Sequence, residues 1–312
     1  MSIAVVFPGQ GSQAVGMLAE LGDEYPIIKQ TITEASNNLD YDLWERMQYG
    51  PEDRLNSTAC TQPALLAAGV AIWRLWMSQG GPGPVYMAGH SLGEYTALVC
   101  AGALDFATAI RLVEYRGMAM QAAVPAGTGA MTAVLGLDDQ AVMEACRDAA
   151  DGQVVAPVNY NAPGQVVIAG HREAVERAGQ ACKQRGAKRV IPLAVSVPSH
   201  CALMRPAAER LGGRLRETKF QPLALPVIHN QDVSAHADAE GIRNVLTAQL
   251  YSPVRWVETV QFLVRQGVTR LVEMGPGGVL AGLGRRIDKS LKTSVVDTPV
   301  NLASALAEMN EA

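Results

Sequence analysis

The five residues Gly89-His90-Ser91-Leu92-Gly93 constrain this chain more than any other stretch. A Gly-x-Ser-x-Gly sequence that follows an apolar run and opens a helical one describes a sharp strand-to-helix turn. Here the apolar run is Val85-Tyr86-Met87-Ala88, and the helical run extends from Glu94 to Gly102. The flanking glycines leave room for a turn that pushes the Ser91 hydroxyl out of the backbone. The Leu92 N–H then lies at a helix N-terminus, where it can donate to an oxyanion forming beside Ser91. With 30 glycines in 312 residues the bare pattern arises by chance; its setting is what makes Ser91 a candidate nucleophile. The alternative is a tight turn in which Ser91 only caps the helix.

The rest of the chain reads as alternating helices and short apolar strands. Ile3–Phe7 is apolar throughout, as in a strand covered on both faces. Helical spacing covers about Glu24–Asn38, Asp42–Tyr49, Thr61–Ser78 and, capped by Asp105, Phe106–Gln121. From 127 to 195 the order becomes β-α-β-β-α-β, that of a ferredoxin-like unit. The expected strands are Ala130–Leu135, Val154–Val158, Gln165–Ala169 and Lys188–Leu193, and the helices Asp138–Ala150 and Glu173–Arg185. A loop 196–200 and a helix from about Leu203 to Thr218 follow. Then come a strand at Val227–His229, helices around Ala239–Leu250 and Val257–Gln266, a strand at Arg270–Met274 and, after Gly275-Pro276-Gly277-Gly278, a final helix. The predicted fold is therefore α/β. Residues 1–126 and 196–312 form a large domain with a mainly parallel sheet, and 127–195 form an inserted ferredoxin-like subdomain.

Composition narrows the function. A net charge of −4 argues against nucleic acid as a partner, because phosphate binding needs a basic surface. Cys60, Cys100, Cys146, Cys182 and Cys201 are odd in number and widely spaced, so neither structural zinc nor a disulfide framework is expected. Reduced thiols in a cytoplasm fit best. The chain opens on a strand-like run with no basic segment before it, so no secretory leader is expected. The longest apolar run, Pro63–Trp73, is too short to span a bilayer and reads as a buried helix.

A nucleophilic serine needs a base. Of five histidines, His90 adjoins Ser91 but points away from it at an elbow and is expected to pack under the turn. His171 and His236 read as surface residues, and His229 ends a strand that can approach the site. His200 stands out: Val195-Ser196-Val197-Pro198-Ser199-His200 is a strand end with a proline-fixed loop, where functional residues of α/β sheets collect. The alternative for His200 is a loop histidine satisfied by a backbone carbonyl. No acid between 91 and 200 has a strand-end setting, unlike the Ser–acid–His order of α/β-hydrolases. A Ser–His dyad oriented by something other than a carboxylate is implied. Arg116 borders the apolar stripe Ala109, Ile110, Val113, Gly117 and Met120, so its charge needs an anion. That anion is either a structural Asp or Glu, to which spacing alone leans, or a substrate carboxylate held bidentately. The loop Pro8–Gln13 loosely matches a dinucleotide fingerprint, but the region that should hold the second strand reads as helix. The loop otherwise carries a backbone donor to the rim at Ser91.

Taken together, these residues resemble the malonyl-CoA:acyl carrier protein transacylases of fatty acid synthesis. The resemblance runs nearly end to end, through Phe7-Pro8-Gly9-Gln10-Gly11-Ser12-Gln13, Gln62-Pro63-Ala64, Gly89-His90-Ser91-Leu92-Gly93-Glu94 and Arg116-Gly117. It continues through Asn159-Tyr160-Asn161, Val197-Pro198-Ser199-His200, Gln249-Leu250-Tyr251-Ser252-Pro253-Val254 and Glu273-Met274-Gly275-Pro276-Gly277. It implies a hydrolase-like α/β domain with a ferredoxin-like insert. Ser91 is then the nucleophile and His200 the base, oriented by the main-chain carbonyl of Gln249. The N–H groups of Gln10 and Leu92 form the oxyanion hole. Arg116 holds the malonyl carboxylate, and Asn159, Asn161 and Ser199 contact substrate. The implied reaction is ping-pong transfer of malonyl from malonyl-CoA to the phosphopantetheine thiol of acyl carrier protein. It needs no metal or redox cofactor and no membrane, and the enzyme is expected to act as a monomer. Rival readings are a serine thioesterase or esterase, the malonyl-transferring subunit of a malonate decarboxylase, and an inactive scaffold on the same fold.

Overall fold

The computed structural model describes residues 2–195 and 197–310. Nine strands are described: β1 (Ile3–Phe7), β2 (Tyr86–Gly89), β3 (Gly129–Leu135), β4 (Val155–Ala162), β5 (Gln165–His171), β6 (Arg189–Pro192), β7 (Val227–Ile228), β8 (Arg270–Met274) and β9 (Lys292–Val296). They form two sheets. The larger has the order β7-β2-β1-β8-β9, and every pairing in it is parallel. The smaller has the order β4-β5-β3-β6, all antiparallel, with one helix after β3 and one after β5. That is the strand order of a ferredoxin-like unit. The protein is α/β, with a parallel sheet and a separate antiparallel one.

Apolar alternation in β1 explains its place at the centre. Ile3, Val5 and Phe7 face one core, shared with the buried helix Thr58–Ser78, and Ala4 and Val6 face a second one with Trp256 and Leu271. A strand apolar at every position is stable only when covered on both faces. The run Pro63–Trp73 lies within the helix Thr58–Ser78, whose residues are almost all buried. No helix among the described residues is long and apolar enough to cross a membrane.

Several boundaries differ from the sequence reading. The helix after Gly278, Val279–Ile287, is not the last element: β9 and a helix Pro299–Asn310 follow. The β9 segment Lys292-Thr293-Ser294-Val295-Val296 is an edge strand, too short and polar to announce itself. Two helices of one to two turns, Ala19–Glu24 and Glu52–Leu55, are below the length at which periodicity is visible. β4 runs on to Ala162 because register shifts at Pro157/Asn159 and Tyr160/Ala162 keep it paired with β5. The predicted loop 196–200 begins at Ser196, which lies outside the described residues.

The elbow is seated by close packing. A Cβ on Gly93 would lie 2.0 Å from Phe7 O, and one on Gly89 would lie 1.9 Å from Gly93 C. Both clashes are with backbone, so no rotamer change relieves them. Gly93→Ala is expected to destabilise the fold by about 3 kcal/mol, the upper range for forced overpacking. Urea unfolding at wild-type midpoint for this variant would contradict the packing described.

Candidate active site

Ser91 is the residue at the top of the turn after β2, and it adopts a φ of 53°. A left-handed φ is rare for a residue with a Cβ, and it persists only where neighbours over-determine it. Here they do. The Ser91 N–H donates to Asn230 Oδ1 (2.7 Å), and Asn230 Nδ2 donates to Gly89 O (2.7 Å). The His90 N–H donates to Phe7 O (3.0 Å) and the Gly93 N–H to His90 O (3.0 Å). The turn is thus pinned on both sides, and the Ser91 hydroxyl has one place to go.

That place is His200. Ser91 Oγ lies 2.8 Å from His200 Nε2, and His200 Nδ1 lies 2.8 Å from Gln249 O. A carbonyl oxygen only accepts, so Nδ1 carries the hydrogen and a neutral ring presents a bare Nε2 to the hydroxyl. His200 also has a left-handed φ, 66°, and its N–H donates to Leu250 O (3.0 Å). Burial, and next the nearby Arg116 charge, hold the imidazole down at about 3 instead of its usual 6.5. The orienting group is a carbonyl at the end of the helix Ala239–Gln249, in place of the acid of a triad.

Arg116 is buried, only 1 % exposed, on the helix Phe106–Gln121. It lies past the edge of the apolar stripe and inside the protein. Nη1 donates to Gln62 Oε1 (2.8 Å), and Nη2 donates to Gln249 Oε1 (2.9 Å) and Ser91 Oγ (3.2 Å). Its Nε has no partner, and no carboxylate forms an ion pair with it, among the described residues. The structural Asp or Glu to which spacing leaned is absent there. Burial pulls its pKa below the ordinary value, opposed by Tyr95, whose ring centroid lies 5.4 Å away, and by Glu94.

A cavity of about 90 Å³ opens over this group. Gln10, Leu92, His90, Asn159, Ser199 and Arg116 line it beside Ser91 and His200, and Met120, Met131, Leu193, Val195 and Val197 make it apolar. The predicted residues Ser91, His200, Arg116, Gln10, Leu92, Asn159 and Ser199 are therefore brought together. Gln249 reaches the group by hydrogen bonds. Asn161 does not line the cavity; its Oδ1 lies 2.9 Å from His90 Nε2, so it orients a residue that does. β4 arrives here because the Val254 N–H donates to Val158 O (2.8 Å) and the Tyr160 N–H to Val254 O (3.0 Å), which ties the small sheet to the segment that precedes the helix Trp256–Arg265. A larger groove of about 540 Å³ lies elsewhere, along Arg111, Tyr115 and Arg214, and shares no residue with the Ser91 cavity.

A set of buried polar residues surrounds this group, and the other histidines have partners of their own. His229 is not a second base: it is fully buried with Nδ1 2.6 Å from Glu94 Oε1. His236, expected in solvent, is half-buried, 2.7 Å from Asp232 Oδ2, with its ring tilted against that of His229 at 5.5 Å. His171 caps a helix, and its Nδ1 accepts from the Val154 N–H (2.9 Å). Glu94, Gln62 and Asn230 are all fully buried and bonded into the site. The signal for Glu94 was present, as the only charge in the otherwise apolar or neutral helix Gly93–Cys100. Asn230 gave none, because its partners are distant in sequence.

A half-buried serine on a strained strand-to-helix turn, hydrogen-bonded to a neutral histidine at a cavity with apolar walls, is the arrangement of a serine-based acyl-transfer protein. Residues 4–301 match the family model described as acyl transferase domain, and the chain belongs to that family. It is 58% identical to the malonyl CoA-acyl carrier protein transacylase of Escherichia coli (strain K12), over 97% of this chain and 98% of that one. A malonyl-transacylase solved in complex with a type II PKS acyl-carrier protein superposes with a TM-score of 0.98 at 58% identity, covering 99% of this chain and 100% of that one. An acyl carrier protein S-malonyltransferase from Vibrio cholerae gives 0.95 at 59% identity, covering 97% and 99%.

The depressed basicity of His200 makes a prediction. The rate of Ser91 modification by the uncharged reagent phenylmethanesulfonyl fluoride should stay flat from neutrality to about pH 5, because the base stays unprotonated. Arg116→Ala removes a like charge and should move the acid limb upward. A wild-type limb centred near 6.5 would contradict this.

Proposed function

We propose that this enzyme transfers the malonyl group of malonyl-CoA to the phosphopantetheine thiol of acyl carrier protein, through a malonyl ester on Ser91. The observation that carries the reading is the buried Arg116 guanidinium, which has no acidic partner among the described residues and stands 3.2 Å from Ser91 Oγ. A buried cation without an anion is costly, and a malonyl group on Ser91 brings a carboxylate within its reach. The names of the relatives support the same substrates.

The steps follow from the contacts. His200 Nε2 takes the Ser91 proton as Oγ attacks the thioester carbonyl. Gln249 O steadies the imidazolium through Nδ1–H. The N–H groups of Gln10 and Leu92 receive the oxyanion, each worth about 3 kcal/mol in a water-poor site. The tetrahedral intermediate collapses, and His200 returns the proton to the departing CoA sulfur. The carrier thiol then enters, gives its proton to His200 and attacks the ester carbonyl, and Ser91 is restored. The apolar walls keep water from competing. Substrate also adjusts the base. A carboxylate on Arg116 offsets the charge that lowers His200, so malonyl raises the basicity of the imidazole and acetyl does not.

Asn159, with a buried Oδ1 that has no partner among the described residues, faces substrate from β4. Asn161 orients His90, and Ser199 keeps the space beside the base open. The division at 127–195 separates the sheet that carries Asn159 from the one that carries Ser91. The enzyme works as a monomer in the cytoplasm, a reducing compartment that suits its five free cysteines, and it uses no cofactor beyond its two substrates.

Intact mass after mixing with malonyl-CoA should show one malonyl added, and then lost to holo acyl carrier protein with matching gain on the carrier. Ser91→Ala should form no adduct. Loss to water at the same rate with or without the carrier would make the enzyme a hydrolase. Arg116→Ala should lower kcat/KM for malonyl-CoA by 10²-fold or more, the scale of a buried charge-assisted pair, and leave acetyl-CoA little changed. Equal losses for both substrates would make Arg116 structural.

A further inference from the structure

Glu94 is fully buried and does not line the Ser91 cavity, yet it joins the three segments that build the site. Its Oε2 accepts from the Asn230 N–H (2.9 Å) and from Gln249 Nε2 (2.9 Å), and its Oε1 lies 2.6 Å from His229 Nδ1. Asn230 holds the Ser91 turn, and Gln249 lies at the end of the helix whose carbonyl orients His200.

The consequence lies in the Gln249 amide, which has a donor end and an acceptor end. Both hydrogens of Nε2 are engaged, by Glu94 Oε2 and by Ser91 O (3.0 Å). The oxygen end must therefore face the other way, and there Arg116 Nη2 donates to it at 2.9 Å. Reversing the amide would set its NH2 against the guanidinium, two donors face to face in a buried site. Gln62 Oε1 holds the other terminal nitrogen at 2.8 Å. Arg116 is thus clamped between two neutral amide oxygens. A carboxylate in either place would neutralise it and compete with the acyl carboxylate; an amide relay fixes its position and leaves its charge available.

We propose that Glu94 is a positioning residue for acyl selection: by fixing the polarity of the Gln249 amide it holds the Arg116 guanidinium beside Ser91. This rests on the reading of Arg116 as the site of the malonyl carboxylate.

The test is the ratio of kcat/KM for malonyl-CoA to that for acetyl-CoA, which does not change with the fraction of folded enzyme. Glu94→Ala frees the amide, and Gln249→Leu removes it while keeping the main-chain carbonyl. Each should lower the ratio about tenfold, the value of one hydrogen bond to a charged group. Because both break one chain of contacts, the double variant should be no worse than either single one. Glu94→Gln keeps an acceptor for Gln249 Nε2 and should stay within about threefold of wild type. An unchanged ratio in Gln249→Leu overturns the proposal, whether or not Glu94→Ala folds. Losses that multiply in the double variant also overturn it, since Glu94 would then act by another route. A wild-type enzyme with no preference for malonyl would instead overturn the reading of Arg116 itself.

Discussion

A positive charge buried with no carboxylate paired to it among the described residues is the constraint on which this site depends. Arg116 is placed by an apolar helix face and held by the amide oxygens of Gln62 and Gln249, and the protein supplies no ion pair for it among the described residues. Proteins seldom keep such a charge unless something else pairs it. On the proposed reading the acyl group does so, and until it arrives the same charge adds to burial in depressing the basicity of His200. Selection and activation then share one electrostatic origin.

Precision at the reacting atoms comes from strain that the surroundings hold in place. Ser91 and His200 both occupy the left-handed region, and they are the two residues whose side chains meet at 2.8 Å. Each such conformation costs on the order of 1–3 kcal/mol. Main-chain bonds to Phe7 and Leu250 and the Asn230 clamp offset that cost. Glu94 connects those supports, so the elbow, the base and the arginine are parts of one hydrogen-bonded body.

Local pattern and long-range pairing divided what the sequence made legible. The elbow at Ser91 was readable because turn, strand and helix are adjacent in the chain. The helix Phe106–Gln121 was readable to the residue, because Asp105 caps it by accepting from the Thr108 N–H. The bare sequence left Arg116 open between a structural acid and a substrate, since no spacing rule reveals a missing partner. The resemblance to a known family, not periodicity, pointed to the carbonyl of Gln249, 49 residues from His200. Asn230, 139 residues from Ser91, gave no signal at all. β9 went unseen because an edge strand needs only half its residues to be apolar.

The central claim is that the acyl carboxylate completes an ion pair the protein leaves open. The most direct measurement is the melting temperature of the acyl-enzymes, each verified by intact mass. The malonyl-enzyme should melt several degrees above the free enzyme, because the ester brings an anion to Arg116, and the acetyl-enzyme should not. The difference should vanish in Arg116→Ala. Equal shifts for malonyl and acetyl, or a malonyl shift that survives Arg116→Ala, would contradict the account.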